Sequence, residues 1–405
     1  MLRFLTAGES HGKALVGIIE KIPSGMALSS EDIDDELKRR QLGYGRGGRM
    51  KIEQDRAQIL SGVRWGKTIG SPIALLIENR DWMNWQEGMS SESVHEGSLA
   101  PVTKPRPGHA DLGGALKYNH KDVRNVLERS SARETAMKVA LGAIARKFLS
   151  FFSVHIGSCV TQIGTAAMPE TMLNELRSRL AVPDFLKKID ASPVRCPDAD
   201  TAGNMTALID KAQQNGDSLG GRFEVVAAGI PAGLGSHIQW DRRLNGMLSQ
   251  AFMGIQAIKG VEIGDGFACS DKFGSQVMDE IFYRDPEPDN KQQPSEGGIG
   301  FYRLTNHAGG IEGGITNGMP VVVRAVMKPI PTLKKPLHSI DLITKESLKA
   351  AYERSDTCAV PAAAVIGEAM AALVIADAFL EKFGGDSLDE TKRNYDAYID
   401  YLKKF

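Results

Sequence analysis

The chain has 405 residues, with 49 Lys and Arg against 50 Asp and Glu and 42% hydrophobic residues, enough for two ordinary domains or one large one. A formal charge of −1 provides no overall pull toward DNA, RNA or an anionic membrane, so its partners are expected to be small molecules met in local pockets. Four cysteines without a CxxC pair give neither a disulfide framework nor a zinc site, and Met1 to Ser10 lacks the basic-then-apolar order of a secretion signal, so a reducing cytoplasm is expected.

Along the chain, Val16 to Ile19 reads as a strand, and Ser29 to Arg40 as an amphipathic helix with acids early and bases late, as the helix dipole prefers. A glycine loop, Gly43 to Gly48, comes next. Alternating runs over Lys51 to Leu60 and Ile73 to Ile77 predict strands, and prolines stiffen Lys104 to Asp111. Ser131-Ala132-Arg133-Glu134 has the form of a capping box before a small-residue helix. Strands are predicted again over Phe152 to Ile163, Phe223 to Val226 and Pro320 to Met327. Between them, Asp271 to Gly298 reads as a polar insertion. Pro361 suits a first helical turn, and Ala362 to Phe379 is apolar on nearly every face except at Glu368 and Asp377. That pattern predicts a buried helix, because the two acids are costly in lipid. Strands in runs with few βαβ alternations predict an α+β fold, antiparallel sheets packed on helices.

Three signatures recur in order. Ile22-Pro23-Ser24-Gly25-Met26 answers Ile230-Pro231-Ala232-Gly233-Leu234; His109-Ala110 with its glycines answers His307-Ala308; Glu128-Arg129-Ser130-Ser131 answers Glu353-Arg354-Ser355-Asp356. They imply two pseudo-equivalent halves, about 1–215 and 216–405, within one domain. At 43 of 405 residues, glycine also exceeds its usual ~7%, and it clusters near Gly43, Gly108 and Gly313, as in loops shaped around something.

Several motifs could carry chemistry. Gly43-Tyr44-Gly45-Arg46-Gly47-Gly48 matches GxGxxG formally, but it follows a helix and precedes a strand, the wrong context for a dinucleotide fingerprint. Arg39, Arg40, Arg46 and Arg49 around it would grip phosphates, while a solvated basic loop fits equally. An RNA-binding reading is weaker, since one copy without interleaved aromatics offers little stacking. His11, beside Ser10, and His109, beside Arg106, sit in rigid Gly/Pro loops suited to proton transfer, and neither has metal spacing. The two Arg-Ser elements are expected at helix N-termini, where backbone N–H groups receive anions, although Asp356 could equally cap its helix. Lys328-Pro329-Ile330-Pro331-Thr332 is a stiff loop against which a flat ring could rest.

At these motifs, over essentially its whole length, the chain resembles the chorismate synthase family. The resemblance rests on Gly8-Glu9-Ser10-His11-Gly12, Gly43-Tyr44-Gly45-Arg46, Arg106-Pro107-Gly108-His109-Ala110-Asp111, Glu128 to Thr135, Asn306 to Gly314 and Arg354-Ser355-Asp356-Thr357. It implies a β-α-β sandwich assembled as a homotetramer. It also implies anti 1,4-elimination of phosphate and a C6 proton from 5-enolpyruvylshikimate 3-phosphate, giving chorismate in the presence of reduced FMN. FMN contacts are implied for Arg129, Ser130, Ser131, Gln256, Ala257, Gly313, Lys328, Pro329, Ile330, Pro331, Thr332 and Arg354. Ser10, Arg49, Arg106 and Arg133, with Arg354, are implied as holders of the substrate's anionic groups. His11 would protonate the departing phosphate, His109 would set the protonation of the flavin, and Asp356 would assist removal of the C6 proton. Arg40 and Arg46 correspond to NADP positions, with NADPH as an indirect reductant or an external flavin reductase supplying reduced flavin. No metal, nucleic acid or membrane is implied.

Overall fold

Two antiparallel sheets face each other across a layer of helices in the computed structural model, which describes residues 2–47, 53–284, 300–351 and 355–405. The first sheet runs in the order Arg3–Ala7, Ala14–Glu20, Ile73–Glu78 and Gln58–Ile59. Its inner face is set by alternation: Leu15 and Ile19 from one strand and Ile73, Leu75 and Ile77 from the next are buried. The second sheet runs Ile258–Ile263, Val321–Met327, Gly221–Ala228, His155–Ile163 and Ala166–Ala167.

Helix α1 (Ser30–Gln41) begins where the sequence places it, because Ser29 and Asp32 exchange side-chain and backbone hydrogen bonds in a capping box. Helices α2 (Asp111–Tyr118) and α3 (Arg124–Ser130) follow, then α4 (Thr135–Ser150), which packs on the first sheet. A Cβ at Gly17 would lie 2.5 Å from Met137 Sδ, so that glycine lets strand and helix close on each other. The helix Val360–Phe383 packs on the second sheet and against α4. At their crossing a Cβ on Gly142 would come within 2.4 Å of the Ala369 Cβ. Small residues thus set the thickness of the sandwich.

Val360–Phe383 is also, among the described residues, the one helix long and apolar enough to cross a membrane. Of its most apolar window, 83% is buried inside the protein. Its Glu368 is enclosed by three guanidiniums: Arg39 at 2.8 and 2.9 Å, Arg195 at 3.1 Å, and Arg146, with Ser158 donating at 2.5 Å. Asp377 accepts the Leu2 N–H at 2.5 Å.

Several expectations shift. Ser131 caps only a short turn, accepting from Arg133 N, and α4 starts at Thr135 with Glu134 turned elsewhere. Arg129 and Ser130 are the last turn of α3, so the anticipated anion-receiving helix start is instead a helix end. Within the described part of Lys51 to Leu60 only Gln58–Ile59 pairs as strand. The expected polar insertion has a structured shoulder: Phe282–Arg284 pairs with Gly300–Tyr302, while 285–298 lie outside the described residues. In the two Ile-Pro-x-Gly copies, Gly25 and Gly233 share a left-handed φ of 87° and 98°, and each turn leaves a sheet strand for a helix. The strand His155–Ile163, within the first of the expected halves, pairs into the second sheet.

Candidate active site

His11 lies in the loop between the first two strands. Its ring Nδ1 is 2.8 Å from Glu128 Oε1 on α3, and its backbone N–H donates to Glu128 Oε2 at 2.8 Å. Ser10 N–H donates to the Glu128 carbonyl at 3.1 Å, and Ser10 Oγ to Ser131 Oγ at 3.0 Å. One ring face stacks on Trp85, centroids 4.2 Å apart; Asp81 Oδ2 is 3.9 Å from Nε2. Burial disfavours the Glu128 carboxylate, yet the hydrogen bonds and charge of His11, with Arg124, outweigh it and hold its pKa below the usual range.

Beyond Ser131, the arginines gather. Arg133 donates from Nε to Asn79 at 2.8 Å and from Nη1 to Asp55 at 2.6 Å; Arg40 donates to Thr135 Oγ1 and the Ala132 carbonyl, both at 3.0 Å. Arg40 Nη1 and Arg133 Nη2 are buried without a hydrogen-bond partner among the described residues. Burial, aggravated by Arg46 and Arg133 and only partly offset by Asp55, pushes Arg40 down to about 10. The glycine loop is neither a dinucleotide fingerprint nor a solvated arm. Gly45 accepts the Thr357 N–H at 2.8 Å, Gly47 N–H donates to Asp356 Oδ1 at 2.6 Å, and Arg46 Nη1 stands 3.3 Å from Asp356 Oδ2. A Cβ at Gly47 would lie 2.9 Å from the Ser355 carbonyl, so the close docking requires glycine. Asp356 therefore does not cap its helix, which starts at Val360 with no side-chain cap.

A third station is reached through Thr332. Its carbonyl accepts from Ser355 Oγ at 3.0 Å and its hydroxyl from Arg106 Nη1 at 3.1 Å. Arg106 also forks onto Asp111 through Nε at 2.8 Å and Nη2 at 3.0 Å, and His109 Nδ1 is 2.5 Å from the same carboxylate. Burial disfavours the Asp111 anion, but His109 and Arg106 overcome this and hold it far below the carboxylate range. Lys328 Nζ donates to the Gly108 carbonyl, and its backbone N–H to Ala257 at 2.9 Å. Burial and the nearby Lys259 lower its pKa. Gln256 Nε2 donates to Glu134 Oε2 at 2.7 Å, while its Oε1 is buried without a hydrogen-bond partner among the described residues. Arg129, with 42% of its side chain exposed, spans Gly8 and Thr6 and stands 3.9 Å from Glu134.

Ser10, His11, Arg40, Arg46, Arg106, His109, Arg133, Thr332 and Asp356 thus belong to one succession of neighbouring polar groups, joined by Arg129, Gln256, Ala257 and Lys328 along its flank. Ser130 turns back onto Val126, and Gly313 sits at the tip of the hairpin Ile311–Glu312/Ile315–Thr316. Arg49 and Arg354 lie outside the described residues. Sequence reasoning missed Trp85 and Asp55 altogether. It quoted Glu128 and Asp111 without a role, although a carboxylate two residues after His109 was the available signal.

A family model described as chorismate synthase matches residues 2–380. The chain is 57% identical over 406 residues to a chorismate synthase of Geobacter metallireducens (strain ATCC 53774 / DSM 7210 / GS-15), covering 100% of both. It is 55% identical over 408 residues to one of Aquifex aeolicus (strain VF5), covering 100% of this chain and 99% of the relative. A crystal structure of chorismate synthase is similar at TM-score 0.77 and 46% identity, covering 100% of this chain and 99% of the other.

Proposed function

We infer the roles of these side chains from one premise: the chain belongs to the chorismate synthase family. It is a lyase of the shikimate pathway to the aromatic amino acids, eliminating phosphate from 5-enolpyruvylshikimate 3-phosphate to give chorismate with reduced FMN as cofactor.

The residues present fit that cofactor. The buried Gln256 Oε1 wants a donor, as a flavin ring N–H provides, and Arg129 and Lys328 bring charge suited to a terminal phosphate. Around Gly313, at φ 59°, nothing lies within 4 Å of where a Cβ would stand. Arg129, Ser130, Ser131, Gln256, Ala257, Gly313 and Lys328 to Thr332 would hold it, with Arg354 added on the sequence match alone. When bound, reduced FMN supplies electron density that eases loss of an allylic phosphate.

The chain's own groups do the rest. Arg133, with Ser10 beside it, and Arg106 present cationic and hydroxyl donors to a substrate carrying a phosphate and two carboxylates; Arg49 joins them on sequence grounds. His11, anchored at Nδ1, gives a proton from Nε2 to the departing phosphate. His109 holds a proton at Nδ1 against Asp111 on the cofactor side. Asp356, paired with Arg46 and accepting the Gly47 N–H, receives the proton released from C6. The carrying observation is the convergence of His11, His109 and Asp356, from three distant loops, on one arginine network. The test is anaerobic turnover of His11→Asn, His109→Ala and Asp356→Asn: each should lose most activity and keep FMN affinity, and a variant at wild-type rate leaves the mechanism.

Arg40 and Arg46 are turned inward, 5% and 10% exposed in whole residue and side chain respectively, which favours an external flavin reductase over direct NADPH contact. Anaerobic mixing with NADPH and FMN should then leave the flavin oxidised; bleaching overturns this. The expected sites are a cytoplasmic setting and a homotetramer. The exposed Phe267, Phe273, Met278 and Leu304 support assembly, and a monomer mass in sedimentation would remove it.

A further inference from the structure

Glu128, Trp85, Asp81 and, behind Glu128, Arg124 surround the His11 imidazole. Glu128 holds Nδ1 and the backbone N–H of the same residue. Arg124 Nη1 stands 3.4 Å from Glu128 Oε1, and its guanidinium lies 5.0 Å from the Trp85 ring, which stacks on His11. Glu128 is 2% exposed, so its charge acts in a poorly screened setting. Its main-chain carbonyl also takes the Ser10 N–H, so one residue pins the Ser10-His11 dipeptide at three points.

We propose that Glu128 is the positioning residue for His11: its carboxylate fixes the ring proton on Nδ1 and the ring orientation, leaving Nε2 as the nitrogen turned to the substrate, with Trp85 covering one face. This rests on the reading of His11 as proton donor. A carboxylate has two oxygens, and here one takes the ring N–H and the other the backbone N–H. A glutamine replaces one of these oxygens with an NH2 group, which sets a donor against whichever of the two N–H groups it faces. Among the described residues, the groups facing the imidazole include Glu128 on the Nδ1 side, Asp81 at 3.9 Å on the Nε2 side, and Arg124 behind Glu128.

The test uses full-length enzyme with FMN. Histidine ring nitrogens labelled with 15N, the His11 signals identified by their loss in His11→Asn, report the neutral tautomer at alkaline pH. The expected result is protonation at Nδ1; a neutral ring protonated at Nε2, the usual preference of a free imidazole, overturns the proposal without any Glu128 variant having to fold. In parallel, Glu128→Gln should lower kcat roughly 10- to 100-fold with KM little changed, and move the alkaline fall of kcat to lower pH, since the anion favouring the protonated ring is gone. Glu128→Asp keeps the charge and should restore the pH profile even where its shorter reach leaves kcat low. Wild-type kcat and pH profile in Glu128→Gln, with His11→Asn inactive, overturns the positioning role alone. Wild-type turnover in His11→Asn instead overturns the donor role beneath it.

Discussion

Arg39 and Arg40 are neighbours at the end of α1, and they face opposite kinds of charge cluster. Both are buried, which disfavours a charged guanidinium. For Arg39, the anions Glu368, Glu36 and Asp190 more than offset that and raise its pKa well above the ordinary value. For Arg40, Asp55 and Asp356 do not suffice against Arg46 and Arg133, and its pKa falls to about 10. The first cluster is closed. Glu368 sits at the centre of three guanidiniums, Arg39 on α1, Arg146 on α4 and Arg195 just before the helix Ala199–Gln214, and it ties the long helix Val360–Phe383 to its neighbours. The second cluster crowds Arg40, Arg46 and Arg133 together, and two of its buried guanidinium nitrogens have no hydrogen-bond partner among the described residues, against one, Arg195 Nε, in the first. An arginine cluster whose carboxylates outweigh burial serves the fold; one whose crowded cations depress one another serves a ligand that brings further anions.

The contrast can be broken experimentally. The largest effect is expected from Glu368→Ala, which removes the buried carboxylate shared by three guanidiniums and should cost about 3–5 kcal/mol in denaturant unfolding, with turnover of the folded fraction unchanged. In the open cluster the outcome should invert: Asp356→Asn should lose about 100-fold in turnover, equivalent to ~2.7 kcal/mol of barrier, with a melting temperature near wild type. An anion should relieve the crowded cations. Inorganic phosphate at about 100 times its Kd would add ~2.7 kcal/mol of stability, measured as a rise in melting temperature, and Arg133→Gln should lose most of that rise.

Acid sharpens the same comparison. Asp111 and Glu128 have folded pKa values below their unfolded ones, so the stability they contribute is fully present above the unfolded carboxylate range. It is lost as pH falls through the lower folded values. Melting temperature followed down from about pH 4 should therefore fall more steeply in the wild type than in Asp111→Asn. The smallest effect belongs to neither cluster: Ser29→Ala removes the cap of α1 and should cost about 1 kcal/mol in unfolding with no change in turnover.

What the sequence disclosed follows from how local each signal is. Ser29 with Asp32, the alternation from Ile73, and the apolar run after Pro361 act within a few residues, and all three elements formed where they were expected. The Ser131 to Glu134 box failed for a tertiary reason. Glu134 is drawn to Thr6 and Gln256 from two distant parts of the fold and to Lys138 one turn on, so it is not available to close the cap. The histidines and arginines of the site were visible as residue types in rigid loops. Their partners were not, because Asp55 meets Arg133 across 78 residues and His11 meets Glu128 across 117. Nothing in the spacing of Trp85 marks it as the wall of His11. The glycines near Gly43 suggested a phosphate loop; the fold instead uses Gly47 to bring Arg46 against Asp356.

The central claim is that His11 and Asp356, set in a cation-crowded network, eliminate phosphate to form chorismate. It is tested most directly by following phosphate and chorismate together, anaerobically with reduced FMN, in the wild type and in His11→Asn. Equal release of both products in the wild type, and loss of both in His11→Asn with FMN binding intact, is the predicted result. Phosphate released without chorismate, or a wild-type rate in His11→Asn, would contradict it.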